Sequence, residues 1–142
     1  MMMITGIRSR PLSNSGTILV VDDVEVVRTF TAMVLKNQGY TVLEADRGFE
    51  ALRIFSEQKD RIDLVLTDIR MPEMNGLELA RQLTRHRPDI KVLFMSGYPS
   101  TDNVNFTLPE GQELVEPRED FLQKPFTPER LTRKVHETLK IK

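Results

Sequence analysis

A chain of 142 residues, 39% hydrophobic and 29% charged, has an ordinary soluble globular balance and fits one domain better than two. Its formal net charge of -1 leaves no basic footprint for nucleic acid, and zero cysteines exclude disulfides, thiolate metal sites and a cysteine nucleophile. No apolar run reaches the roughly 18 residues of a membrane span, and Met1 to Ser15 lacks the apolar segment of a secretory signal, so the expectation is a cytoplasmic protein with a loose tail over residues 1–16.

From Gly16 onward, runs of strand length alternate with amphipathic segments of helix length. Thr17-Ile18-Leu19-Val20-Val21 stops at Asp22-Asp23, and its unbroken apolarity predicts a strand covered on both faces. Val24 to Gln38 then carries Val27, Phe30 and Val34 at helical spacing, and Gly39 offers that helix a terminating residue. Thr41 to Ala45 reads as a second strand. Phe49 to Gln58, with Ala51, Leu52 and Phe55 on one face, reads as a second helix. The third strand, Leu64 to Thr67, ends at Asp68, and Asn75 can cap a third helix bearing Leu79, Ala80 and Leu83. Lys91 to Met95 ends at Ser96. After the less decisive stretch Tyr98 to Asp120, Phe121-Leu122-Gln123 ends at Lys124. Thr127-Pro128-Glu129 then opens a last helix, along which Leu131, Val135 and Leu139 recur every four residues. A βα unit repeated five times predicts an α/β fold: a doubly wound, parallel, five-stranded sheet with helices on both faces.

The polar residues that follow the strands carry the chemistry. Open parallel sheets bind ligands beyond the carboxyl ends of their strands. Asp22 and Asp23, Asp68, Ser96 and Lys124 follow four different apolar runs, so three carboxylates, a hydroxyl and an ammonium are aimed into one crevice. Two like charges about 4 Å apart cost on the order of 4 kcal/mol at an effective dielectric near 20, so the carboxylates need a cation. An all-oxygen donor set selects a hard one; Mg²⁺ fits, with Mn²⁺ as the alternative. Together with Lys124 it would accommodate the charge of a phosphoryl group, to which Ser96 could donate a hydrogen bond. One carboxylate would then act as a nucleophile and form an acyl phosphate.

The runs I-L-V-V-D-D-V, D-L-V-L-T-D-I-R-M-P-E-M-N-G, V-L-F-M-S-G-Y and F-L-Q-K-P-F, in this order at strand ends, resemble the CheY-like receiver domain of response regulators across about Thr17 to Ile141. The resemblance implies a flavodoxin-like (βα)5 sheet of strand order 2-1-3-4-5 and a receiver domain over residues 17–142. It implies that Asp68 is the phosphoacceptor, that Asp23 binds Mg²⁺ directly and Asp22 largely through water, and that Arg70 offers its backbone carbonyl. Ser96 corresponds to the hydroxyl that moves toward the phosphoryl group, Phe121 to the aromatic switch residue and Lys124 to the phosphate partner. Lys124-Pro125 matches a bond that is usually cis in the family. Such a domain catalyses only its own phosphorylation and dephosphorylation, so it is not expected to be an enzyme. The implied phosphodonor is a histidine kinase or histidine phosphotransfer protein, with no direct nucleic acid or membrane partner and a monomeric or weakly dimeric state. The F-M-S-G-Y and F-L-Q-K-P-F-T-P-E-R-L stretches are similar to receivers at the ends of hybrid histidine kinases.

Two rivals share parts of this pattern. A haloacid-dehalogenase-like phosphatase also uses an aspartate, Mg²⁺, a hydroxyl and a lysine, but its nucleophile follows the first strand in a D-x-D arrangement. Here the first strand ends in adjacent aspartates and the lone aspartate follows the third. A receiver-like module that is never phosphorylated would lack a member of the set, and none is lacking. His86 and His136 read as solvated rather than as relay sites, and Met71 and Met74 as packing or surface residues. The segment between Ser96 and Lys124 is longer than the family pattern. Its Asn103, Asn105, Thr107, Pro109, Gly111 and Pro117 predict a short or missing fourth helix, and Glu110, Glu113, Glu116, Glu119 and Asp120 an acidic loop.

Overall fold

The computed structural model describes residues 16–96 and 121–140. In chain order these form β1 (Thr17–Val21), α1 (Glu25–Asn37), β2 (Thr41–Ala45), α2 (Gly48–Gln58), β3 (Leu64–Asp68), α3 (Gly76–His86), β4 (Lys91–Ser96), β5 (Phe121–Gln123) and α4 (Pro128–Lys140). The expectations of a loose tail before Gly16 and of an acidic loop replacing a helix over Ser100 to Asp120 lie outside the described residues.

All five strands are parallel and lie in the order β2-β1-β3-β4-β5, the order that the resemblance implies. β1 is paired on both sides, with Val20 beside Glu44 on β2 and beside Leu66 on β3. β2 and β5 are the edges, and β2 is accordingly the less buried strand that its mixed sequence suggests.

The unbroken apolarity of β1 and β3 follows from cover on both faces. Side chains alternate along a strand. Leu19, Val21 and Val65 therefore pack with Ala51, Ile54 and Phe55 of α2 and Leu79 and Leu83 of α3. Ile18, Val20, Leu64 and Leu66 face the other way, onto Val34 and Leu35 of α1 and Leu131 and Val135 of α4. Each such side chain, fully withdrawn from water, contributes about 1.5–3 kcal/mol.

The helix ends follow local chemistry. Asn75 Oδ1 accepts the Glu78 backbone N–H at 2.8 Å, and Thr127 Oγ1 accepts that of Arg130 at 3.1 Å, so both expected caps form. Gly39 has φ +105 beyond the end of α1, a conformation that costs a Cβ-bearing residue dearly. α2 begins at Gly48, one residue before the expected start, and leaves Phe49 exposed on its first turn. At the opposite pole, Asp63 Oδ2 accepts the Thr17 N–H at 2.8 Å, and Arg87 donates to the carbonyls of Lys59 and Ile62.

Candidate functional site

The two-residue period of the strands brings the charged residues together. Ile18 and Val20 are followed by Asp22, Leu64 and Leu66 by Asp68, and Leu122 by Lys124, so each charged residue continues a row on the face covered by α1 and α4. The rows converge: Lys124 Nζ lies 3.0 Å from Asp22 Oδ2 and 3.4 Å from Asp68 Oδ1. Asp22, Asp23 and Asp68 each offer a carboxylate oxygen, and the three oxygens lie within 4.8 Å of one another.

The three carboxylates differ in setting. Asp22 is fully buried and pinned on every side. Its backbone N–H donates to Ala45 O at 3.1 Å, its Oδ1 accepts the Val24 N–H at 2.9 Å, and its Oδ2 accepts from Lys124. Asp23 is exposed. Asp68 is buried at the mouth of β3, and its carboxyl is pushed up to about 7, first by burial; Lys124 pulls it down, while Asp22 and Asp23 push it further up. A carboxyl so placed gains most from a cation that would stabilise its ionised form.

The remaining expected residues fall around this centre. Ser96 is buried at the end of β4, where its carbonyl accepts the Lys124 N–H at 2.7 Å. Register sets Ser96 beside Gln123, the residue before Lys124, and Met95 beside Asp68. Arg70 stands two residues past Asp68 with its side chain exposed. Phe121 is half-buried at the start of β5, beside Phe94, and the Lys124–Pro125 bond is cis. Met71 and Met74 are buried, so they pack. His86 is exposed as expected, but His136 is half-buried on α4, because it stands beside Val135 on the flank of the helix that meets the sheet.

Two contributors escaped the sequence reading. Gly76 lies under the acceptor strand: a Cβ there would stand 2.3 Å from the Asp68 carbonyl oxygen, and its N–H donates to Ile69 O at 2.8 Å. The M-N-G run was a signal that could have found it. Arg28 reaches back from α1, its Nη1 donating to the Asp22 carbonyl at 2.9 Å and its Nε to Glu44 Oε1 at 3.2 Å. No spacing rule marks such a contact. Arg28 and Glu44 also line an open groove of about 590 Å³ with Asp46, Arg47, Phe49 and Glu50; neither Asp68 nor Lys124 lines it.

Comparison with known proteins agrees with this geometry. The profile of the response regulator receiver domain matches residues 18–136. The sensor kinase CckA of Brucella abortus is 40% identical over 132 residues, covering 93% of this chain and 13% of that protein. The chemotaxis protein CheY of Listeria monocytogenes is 34% identical, covering 80% of this chain and 90% of its own. Among solved structures, the receiver domain from the hybrid histidine kinase CckA superposes with a TM-score of 0.69 at 32% identity, covering 88% of this chain and 100% of that one. A receiver domain protein from Clostridium thermocellum gives 0.71 at 30% identity, covering 87% and 94%. The chain thus spans only a small part of the sensor kinases that it matches, 13% of CckA and 16% of the Vibrio cholerae kinase/phosphatase CqsS.

Proposed function

The chain belongs to the response regulator receiver family of two-component signalling, and from that premise we propose that Asp68 accepts a phosphoryl group from a histidine kinase or histidine phosphotransfer protein. The observation that carries this reading is the meeting of Asp22, Asp23 and Asp68 around one point, with Lys124 Nζ against two of them.

Receiver domains bind Mg²⁺ at an acidic site, and this donor set fits it. Three carboxylates of oxygen-only character, one of them exposed and two buried, suit a hard cation that keeps part of its water. Asp23 and Asp68 would hold it directly with the carbonyl of Arg70. Asp22, both of whose oxygens already accept hydrogen bonds, would act through water. When bound, Mg²⁺ supplies charge neutralisation and polarises the phosphoryl oxygens; Mn²⁺ would serve the same donors.

The chain's own residues do the rest. The ionised Asp68 carboxylate attacks phosphorus, the O–P bond forms as the donor's N–P bond breaks, and the imidazole leaves. Lys124 already sits 3.4 Å from the nucleophile, so it can pair with the incoming phosphoryl charge without a large excursion. Ser96 donates to a phosphoryl oxygen, and the pull on β4 and β5 is passed to Phe121, whose half-buried ring is the switch element. The protein acts as a stoichiometric acceptor rather than as an enzyme on other substrates. It works in the cytoplasm as a monomer or weak dimer, without contacting nucleic acid itself. The receiver unit occupies residues 17–142.

Incubation with acetyl phosphate and Mg²⁺, followed by intact mass measurement, tests the reading. One labile phosphoryl group per chain is expected, and none after chelation. Steady release of phosphate from many esters, without labelled protein, would assign a phosphatase instead.

A further inference from the structure

We propose that Arg28 is a positioning residue for the acidic pair: by holding the Asp22 carbonyl it fixes the Asp22–Asp23 peptide and so presents the Asp23 carboxylate to the cation. The inference rests on the reading of this centre as a Mg²⁺ site. Asp23 is exposed, and its carboxylate makes no hydrogen bond to a described residue, so among the described residues it is the backbone that orients it. That backbone is tied at Asp22, whose N–H is held by Ala45 O and whose carbonyl is held by Arg28 Nη1 at 2.9 Å.

Apart from its pair with Glu44, charge does not favour Arg28 at this place. A cation in the first turn of a helix opposes the helix dipole, and a cation beside a metal centre repels the metal. Glu44, 3.2 Å from Arg28 Nε, offsets that charge and steers the guanidinium, leaving Nη1 aimed at the carbonyl. The side chain is 18% exposed and borders the open groove, so its truncation admits water rather than leaving a void.

The two accounts of Arg28 differ in sign. If its charge governs, Arg28→Ala tightens Mg²⁺ binding; if its hydrogen bond governs, the same change weakens it. Calorimetric titration of Mg²⁺ into metal-free wild type, Arg28→Ala and Arg28→Lys decides. Outer-shell contacts of this kind are worth about tenfold or more in metal affinity. Both variants are therefore expected to weaken binding about tenfold, because a lysine ammonium cannot satisfy a carbonyl and Glu44 with a planar fork. In acetyl phosphate labelling, the half-saturating Mg²⁺ concentration should rise in proportion while the rate at saturating Mg²⁺ stays near wild type. Arg28→Lys keeps the stem and the charge, so it carries the test should Arg28→Ala fail to fold. Unchanged or tighter binding in folded variants, with only a lower metal-free melting point, would make Arg28 a structural residue and overturn the proposal. No Mg²⁺ binding in wild type would overturn the reading of the centre itself, and this inference with it.

Discussion

Asp68 closes a strand in which Leu64, Val65, Leu66 and Thr67 are all fully buried, and it inherits their dry surroundings. Burial is the main reason its carboxyl sits up at about 7 in the metal-free protein. Proton and cation therefore compete for the same oxygens near neutrality. Below that value the carboxyl is protonated and must release its proton to bind, so Mg²⁺ affinity should fall about tenfold for each pH unit of acidification. Above it, affinity should level off. Calorimetric titrations from about one unit below to about one unit above this value check the slope, and a flat profile would contradict the burial argument. The residues of this centre were legible in the sequence because each stands where an apolar run stops. Arg28 was not, since its target is a backbone carbonyl six residues away that only the folded α1 brings within reach.

Between β3 and α3 the chain turns back on itself, and this connection sets where Asp68 points. Met71 and Met74 are buried, and Met74 lies so close to Gly48 that a Cβ there would stand 2.8 Å from its sulfur. Glu73 takes φ +74, and Gly76 passes directly beneath the Asp68 carbonyl. The obstacle at Gly76 is backbone rather than the end of a flexible side chain, so it cannot swing aside. Gly76→Ala should cost about 1–3 kcal/mol in urea unfolding and slow phosphorylation by displacing the end of β3. Wild-type stability and rate would show that this loop does not shape the site. The helices and strands themselves were predicted closely: α3 starts after its Asn75 cap, and β5 has the bounds expected. α2 starts one residue earlier than expected, at Gly48, where the close approach of Met74 leaves no room for a Cβ.

At the scale of the whole molecule, a two-sided core and a one-ended site come from the same rule. Alternating side chains along β1 and β3 fill two separate cores, and the residue after each apolar row meets the others at one end of the sheet. The sheet's parallel character was readable from the βα alternation. Its strand order was not, because alternation is compatible with several windings; the motif resemblance supplied it, and the pairings agree. The proposed function turns on Asp68 being the residue that carries the phosphoryl group. Borohydride reduction of protein phosphorylated by acetyl phosphate converts an aspartyl phosphate to homoserine, which peptide mass mapping then locates. Homoserine is expected at position 68 alone, with no reduced residue in Asp68→Asn. Homoserine at position 22 or 23, or undiminished phosphorylation of Asp68→Asn, would contradict it.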